Sequence, residues 1–236
     1  MNKHEFASLK TYQELDDWCS DQSLINLMKA CIEAQKQAAT LTFQTTFKPD
    51  RQAAADAVSE EKLESILKSG RDVHGIATDR HISNVIVFNA RNIQDAVSSG
   101  EVDRLRKLVD EAVSEKVKQS FRSERDLTVA NSGHFWYPPG AYMAWHTNSG
   151  APGWRMYISH AEQPGKSFFR YRDADTNEII TSMDDEWNVR IFEIRSGKLL
   201  WHAVYSETNR FSLGYMIYPQ TLLSSIEQKL KRLLKA

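Results

Sequence analysis

The two halves of the chain differ in how their apolar residues are spaced. In the first half, apolar residues recur every three or four positions, which is the period of an amphipathic helix. They form three groups: Leu24, Leu27, Met28 and Ile32; Leu63, Ile66 and Leu67; and Val102, Leu105, Leu108 and Val109. This spacing predicts three helices. Between the second and third groups, the β-branched run at 84–88 predicts a short buried strand.

From about Leu127 the pattern changes to short β-branched and aromatic runs, separated by Gly, Pro, Asn and Asp. Evenly spaced short strands with turn signals are typical of an antiparallel sandwich or barrel, and not of a parallel sheet that alternates with helices. The predicted strands are 127–130, 141–145, 155–159, 167–171, 190–194, 199–205 and 211–218.

The C-terminal segment returns to helical spacing. Its apolar positions, Leu222, Ile226, Leu230, Leu233 and Leu234, lie on one side, and its basic residues lie largely on the other. A basic amphipathic helix can bind a membrane surface, but packing against the sheet is the commoner arrangement, and we adopt it. We therefore expect one domain over 1–236, with mainly helical support at 1–126, a β-barrel core at 127–220 and a C-terminal helix at 221–236.

Composition narrows the function. A 236-residue chain that is 41% hydrophobic can bury a sizeable core. Because 30 basic residues balance 31 acidic ones, there is no overall positive field, and we do not expect general nucleic-acid binding. The two cysteines, Cys19 and Cys31, cannot form a disulfide framework. With a polar N-terminus and no run of about 18 apolar residues, we expect a cytoplasmic protein without a membrane span.

The candidate chemistry depends on two histidines and one arginine. His146 ends a predicted strand, and Asn148 points to the same side because alternate side chains share a face. His202 lies in an apolar run, where a neutral core histidine is the commoner interpretation when the residue is taken alone. Eight residues later, Arg210 shares a strand face with Ser212, and a carboxylate held by two hydrogen bonds would suit this arginine.

This ordered set resembles the iron(II)- and 2-oxoglutarate-dependent oxygenases of the double-stranded β-helix fold. Their signature is His-x-Asp/Glu at a strand end, a distal His, and an Arg or Lys shortly after it. Here the matching elements are His146-Thr-Asn148, His202 and Arg210-x-Ser212. The motif Tyr137-Pro-Pro-Gly140 resembles the Tyr-x-x-Gly lead-in of the prolyl-hydroxylase-like branch. The stretch from 145 to 210 is also similar to uncharacterised oxygenase-like proteins of tailed phages.

The resemblance implies a jelly-roll, cupin-like barrel and a dioxygenase that acts as a hydroxylase. Fe(II) would be bound by His146, Asn148 and His202, with 2-oxoglutarate and O2 as small-molecule cosubstrates. The far carboxylate of 2-oxoglutarate would pair with Arg210 and accept a hydrogen bond from Ser212. Tyr137 would donate a further phenol hydrogen bond, or would fill the barrel mouth as an aromatic. The resemblance does not identify the oxidised substrate.

Position 148 departs from the family pattern, because asparagine stands where the family has a carboxylate. Three interpretations remain. Asn148 ligates iron through its amide oxygen; or it stands aside while water or an anion binds, as in halogenating members, which however carry Ala or Gly there; or iron chemistry has been lost.

Carboxylates elsewhere could also complete the site, and five are available: Asp173, Asp175, Asp184, Asp185 and Glu193. The first four fall in a polar stretch that we expect to be a solvated hairpin loop. We expect His134 and His160 near the rim of the barrel, half exposed and not at ligand positions. Four further rim candidates would suit an anionic or planar substrate: Trp154, Arg155, Arg170 and Arg172.

Two competing functions come from other classes. A non-catalytic module that binds 2-oxoglutarate or another carboxylate through Arg210 would explain the asparagine at position 148. A sugar- or nucleotide-binding β-sandwich would place His146 and His202 apart, by more than the roughly 5 Å that two ligands of one metal allow.

Overall fold

The computed structural model describes residues 4–42, 49–69, 82–83, 85–90, 100–148 and 150–220. Within these ranges it contains four α-helices: α1 (Gln22–Thr42), α2 (Arg51–Ala57), α3 (Glu60–Lys68) and α4 (Gly100–Ser120). Three of them include the predicted helical groups. The sequence pattern missed α2, because this short alanine-rich helix carries no apolar stripe; its N-terminus is capped by Asp50, whose side chain accepts a hydrogen bond from the Ala53 N–H at 3.0 Å.

Thirteen strands lie within the described residues. The five before the predicted barrel region are β1 (His4–Glu5), β2 (Tyr12–Glu14), β3 (Ile82–Ser83), β4 (Ile86–Ala90) and β5 (Phe121–Arg122). The eight that follow are β6 (Leu127–Tyr137), β7 (Tyr142–His146), β8 (Gly153–Ala161), β9 (Ser167–Arg172), β10 (Ile179–Met183), β11 (Trp187–Ile194), β12 (Trp201–Ser206) and β13 (Arg210–Pro219).

The strands form two antiparallel sheets and a small parallel pair. The larger sheet has six strands in the order β2-β11-β8-β13-β6-β4, and the second has five in the order β10-β9-β12-β7-β3; the pair is β1-β5. Strands that follow one another in the chain therefore mostly lie in different sheets. The prediction of an antiparallel β architecture is confirmed.

The six-stranded sheet separates two packed layers. One face packs against α1 and α4, through residues such as Met28, Val109 and Leu213. The other face turns toward the five-stranded sheet, where Phe169 and Phe192 are fully buried. On the far side of the five-stranded sheet, α2 and α3 pack against tryptophans, and the indole of Trp145 donates to the Ser59 carbonyl oxygen at 2.7 Å. The space between the two sheets holds the candidate site.

The differences from the predicted elements are local. The predicted strand at 84–88 lies at β4 and pairs with β6. The pattern did not predict β10, because its residues Ile179–Met183 fall in a polar stretch and are largely exposed at the sheet edge. The predicted C-terminal helix lies outside the described residues. No helix in the described part of the chain is long and apolar enough to cross a membrane.

Candidate active site

A cavity of about 360 Å³ lies between the two sheets. Five of the six predicted site residues line it: Tyr137, His146, Asn148, His202 and Ser212. The sixth, Arg210, is not among the lining residues, but its guanidinium carbon lies 5.3 Å from the centre of the Tyr137 ring, which does line the cavity. Strands β6, β7, β12 and β13 thus bring together residues that are distant in the chain.

The two histidines face each other across paired strands. His146 is the last residue of β7 and His202 is the second residue of β12, and the antiparallel register places them directly opposite. Their ring centres are 4.1 Å apart, and both side chains are buried. The separation of more than about 5 Å that the β-sandwich alternative predicted is therefore not observed.

Backbone carbonyls fix the tautomer of both rings. Nδ1 of His146 lies 2.8 Å from the Ala144 carbonyl oxygen, and Nδ1 of His202 lies 3.1 Å from that of Leu200. Because a carbonyl oxygen only accepts hydrogen bonds, each neutral ring carries its proton on Nδ1 and its lone pair on Nε2. An Nδ1–H held by a backbone carbonyl is the usual support of a histidine that binds a metal through Nε2.

The side-chain amide of Asn148 adjoins this pair. Its Nδ2 lies 3.3 Å from Nε2 of His202 and 3.4 Å from the hydroxyl of Tyr157. A half-turn of the amide exchanges its two terminal atoms, so the carbonyl oxygen Oδ1 can occupy the same position. Among the described residues, no Asp, Glu or Cys joins the two histidines to make a third ligand. The nearby donor set is therefore two imidazole nitrogens and one amide oxygen, which fits three ligands on one face of Fe(II).

Arg210 is a buried cation with unused hydrogen-bond donors. Its side chain is 1% exposed, and Nε donates to Oδ2 of Asp184 at 2.7 Å. Its two terminal nitrogens, Nη1 and Nη2, have no hydrogen-bond partner among the described residues. Buried donors without partners are costly, and two parallel N–H groups match the two oxygens of a carboxylate. Ser212, two residues along β13, lines the cavity on the same strand face.

The expected solvated loop is wrong for Asp184. This carboxylate is buried, and it accepts hydrogen bonds from Arg210, Arg190 and Ser167. Burial alone would raise its pKa, but the two guanidinium groups outweigh burial and lower the pKa to about 2. Asp175 and Asp185, by contrast, are exposed as predicted. Local polarity could not reveal that the turn before β11 folds inward beneath two arginines.

The expected rim position is also wrong for His134. This residue is fully buried on the helix-facing side of the six-stranded sheet, where its ring nitrogens meet the side-chain amides of Gln35 and Asn131 at 3.3 and 2.7 Å. Burial, with a smaller contribution from Arg106, lowers its pKa to about 3. His160 is half-buried and stacks on Trp187, and it does not line the cavity.

Of the four further rim candidates, only Arg155 lines the cavity. It is buried and donates to the backbone carbonyls of Trp154 and Ala151. Arg170 instead donates to the Val58 carbonyl and to Thr181. The sequence interpretation did not single out Tyr157, although it follows Arg155 by two positions and shares its strand face, so period-two alternation could have identified it.

Comparisons with known proteins give distant matches. No protein-family profile matches the chain, and no curated protein matches it. Among solved structures it is similar to a 2OG-Fe(II) oxygenase family oxidoreductase from Burkholderia pseudomallei, with 10% identity and a TM-score of 0.42 over 68% of this chain and 80% of that one. It is similar to OsALKBH1, with 12% identity and a TM-score of 0.41 over 88% and 99% of the two chains.

A third structure, a prolyl-4-hydroxylase from Pseudomonas putida, shares 17% identity, with a TM-score of 0.32 over 71% of this chain and 83% of that one. The structural neighbours named here are thus members of the 2OG-Fe(II) oxygenase family. Because all three TM-scores are below 0.5, we base the function on the atoms of the site.

Proposed function

We propose that the protein is an iron(II)- and 2-oxoglutarate-dependent oxygenase that acts as a hydroxylase. The observation that carries this proposal is the pair formed by His146 and His202, which face each other with both Nδ1 protons held by backbone carbonyls. The nearby Arg210, with two buried donors unused, supplies the complementary anion site. A core histidine would also hydrogen-bond its ring N–H to backbone, but it would not require a second imidazole opposite it or a nearby buried arginine with two unused donors.

The strand order supports a double-stranded β-helix as the fold of this oxygenase. Strands β6, β8, β11 and β13 lie in one sheet, and β7, β9, β10 and β12 lie in the other. In a jelly roll, two antiparallel sheets built from alternating strands enclose the site. The proposed barrel core spans 127–220, with the preceding helices as its support.

In the proposed enzyme, His146 and His202 bind Fe(II) through Nε2, and Asn148 offers its amide oxygen as the third ligand. Bound iron would supply open positions for a 2-oxo acid and O2, so that O2 could oxidise both 2-oxoglutarate, to succinate and CO2, and a substrate C–H bond. A neutral amide offsets none of the metal's charge, so we expect weaker binding than for a carboxylate.

The chain's own residues would hold 2-oxoglutarate. The two Nη groups of Arg210 would donate to the two oxygens of its far carboxylate, and the Ser212 hydroxyl would donate to one of them. Tyr137 lines the same part of the cavity, and its ring lies against the Arg210 guanidinium. These groups would fix the cosubstrate at its far end, so that its 2-oxo end is directed at the histidines.

Aromatic side chains would keep water away from the histidines. Phe169 and Phe192 lie 5.4 and 5.6 Å from the His202 ring, measured between ring centres, and both are fully buried. Tyr157 packs edge-on against Phe192 at 4.9 Å and reaches the Asn148 amide. A dry wall strengthens the ionic contacts inside the cavity and limits side reactions.

Two measurements test the proposal. The protein with added Fe(II) is expected to convert 2-oxoglutarate to succinate, and the His146→Ala variant is expected not to. In calorimetric titrations, 2-oxoglutarate is expected to bind only after a divalent metal is added. If 2-oxoglutarate binds tightly without metal and no succinate forms, the protein is instead the carboxylate-binding module that Asn148 allows. If neither metal nor 2-oxoglutarate binds, the proposal is wrong.

A further inference from the structure

Beneath the cavity lies a buried ion cluster formed by Arg190, Asp184 and Arg210. The Asp184 carboxylate stands between the two arginines: Oδ1 accepts from Nη1 of Arg190 at 2.6 Å, and Oδ2 accepts from Nε of Arg210 at 2.7 Å. All three side chains are at most 1% exposed. Such a cluster requires complete hydrogen bonding, because a buried charge without partners is strongly destabilising.

Asp184 is held in place from several directions. The Ser167 hydroxyl donates to Oδ2 at 2.6 Å. The backbone N–H of Asp184 donates to the Ser167 carbonyl oxygen at 2.8 Å, and the Asp184 carbonyl accepts from the Gly165 N–H at 2.7 Å. The carboxylate is therefore fixed relative to β9 and does not depend on Arg210 for its position.

Arg190 is held equally firmly at the other end of the cluster. Besides Asp184, it donates to the hydroxyls of Ser159 at 3.2 Å and Ser182 at 2.7 Å, and its Nε lies 3.4 Å from Oε1 of Glu14. Burial alone would raise the pKa of Glu14, but hydrogen bonds and Arg190 lower it, so both carboxylates stay charged near neutral pH. The ion cluster is therefore charged, and each end of it is held by several hydrogen bonds.

The contact with Asp184 uses one side of the Arg210 guanidinium. Because Nε is engaged, the donors that remain are the end pair Nη1 and Nη2, which lack hydrogen-bond partners among the described residues. A carboxylate that binds this pair must approach end-on. Since the bond to Asp184 fixes Arg210, the distance from Nη1 and Nη2 to the two histidines is also fixed.

We propose that Asp184 is a positioning residue that holds Arg210 at a set depth and thereby selects the chain length of the 2-oxo dicarboxylic acid. This inference rests on the proposed function. With Arg210 fixed, a four-carbon acid is too short to reach both the metal at the histidines and the Arg210 guanidinium. A six-carbon acid must bend to fit between them. One methylene of mismatch is worth about tenfold or more in discrimination.

The test is a calorimetric titration of three acids, oxaloacetate, 2-oxoglutarate and 2-oxoadipate, into the protein loaded with Mn(II). The wild-type protein is expected to prefer 2-oxoglutarate over both others by at least about tenfold. In Asp184→Asn the anchor of Arg210 is weakened, and the preference is expected to fall below about threefold, in whichever direction the three absolute affinities move. A purely structural role would change all three affinities by the same factor.

A second variant keeps the test valid if Asp184→Asn does not fold. Asp184→Glu retains the charge but is one methylene longer, so it is expected to push Arg210 toward the cavity and to shift the preference toward oxaloacetate. Asp185→Asn, the same substitution at the exposed neighbouring position, is the control and is expected to keep the wild-type preference.

The outcomes separate the two proposals. Wild-type selectivity in both Asp184 variants would overturn the positioning role while leaving the oxygenase assignment intact. Failure of the Mn(II)-loaded wild-type protein to bind any of the three acids would overturn the proposed function, and this inference with it.

Discussion

The two antiparallel sheets contain buried histidines in two contrasting environments. On the helix-facing side of the six-stranded sheet, both ring nitrogens of His134 are bonded to side-chain amides, those of Gln35 and Asn131. Between the sheets, His146 and His202 each direct Nδ1 to the backbone carbonyl two residues earlier in the chain, and their ring centres lie 4.1 Å apart. The residue type and the degree of burial are the same, but only the second arrangement places two imidazoles against each other with both Nδ1 protons held by backbone carbonyls.

The buried arginines show the same contrast. Every nitrogen of Arg190 has a hydrogen-bond partner among Ser159, Ser182, Met183 and Asp184. Arg210 shares Asp184 with it, yet within the described residues its two Nη atoms have no hydrogen-bond partner. Burial alone therefore does not tell the two arginines apart. They differ in whether the described residues complete their hydrogen bonding.

The largest expected effect comes from removing one of the paired histidines. His146→Ala or His202→Ala is expected to weaken metal binding by at least about 100-fold, because losing a ligand costs more than losing the partner that orients one. The matched control is His134→Ala, which should bind metal normally and lose stability instead. Anaerobic calorimetry with Fe(II) and denaturant unfolding measure the two properties. Equal loss of metal binding in all three variants would contradict a metal site formed by His146 and His202 and not by His134.

The two arginines provide the next contrast. Arg210→Gln leaves the far carboxylate of 2-oxoglutarate unpaired in a buried site, at an expected cost of about 3 kcal/mol or roughly 100-fold in Kd. Metal affinity should be unchanged. Arg190→Gln should weaken 2-oxoglutarate by less than about tenfold, because its effect is indirect, while lowering the free energy of unfolding. Titration of the metal-loaded variants with 2-oxoglutarate measures both losses of affinity. A larger loss in Arg190→Gln than in Arg210→Gln would contradict the proposed roles.

A smaller effect, of opposite sign, is expected at position 148. Asn148→Asp adds a charged oxygen donor beside the histidine pair and should raise metal affinity by about tenfold or more. Asn131→Asp is the matched control, since Asn131 lies beside His134 at a similar distance. Metal titrations of both variants measure the difference. No gain in Asn148→Asp would place residue 148 outside the ligand set.

The smallest effect is a pH dependence of stability that arises from His134. Its pKa is about 3 in the folded protein and 6.5 in the reference state, so between these values the unfolded chain binds the proton and the folded protein does not. The contribution of His134 to the free energy of unfolding is therefore fully present well above pH 6.5. It is lost as the pH decreases, by about 2 kcal/mol between pH 7 and pH 5.

The variant His134→Gln should lack this component. Urea unfolding of both proteins at pH 7 and pH 5 measures it, and taking the difference removes contributions from neighbours such as Asp110, whose pKa is raised mainly by burial. Parallel losses of stability in the two proteins would show that His134 does not titrate in this way.

The sequence predicted most of the later antiparallel strands and a set of candidate residues that lie close together, for identifiable reasons. Strand alternation placed His146 and Asn148 on one side, and it placed Arg210 and Ser212 on one strand face, of which Ser212 lines the cavity. Those signals are local, because side chains alternate between two faces in any antiparallel strand. The meeting of His146 with His202 depends on strand register, for which spacing along the chain supplied only indirect support.

What the sequence could not predict depends on long-range contacts. His134 resembles a rim residue locally, yet it is buried because α1 covers that face of the sheet and supplies Gln35. Asp184 lies in a run of charged residues, and only the packing of β11 and β13 shows that it serves two arginines. Both errors concern polar residues with at least one partner that is distant in the chain, Gln35 for His134 and Arg210 for Asp184.

The opposed placement of His146 and His202 has a mechanical consequence. A cation held by both rings would link β7 to β12 side to side, adding a bond across two strands otherwise joined by backbone hydrogen bonds with a register shift beside His202. Occupancy would then protect these strands from local opening, and at a metal concentration of 100 times Kd it would raise the unfolding free energy by about 2.7 kcal/mol. The proposed metal centre would then also stabilise the pairing of these two strands.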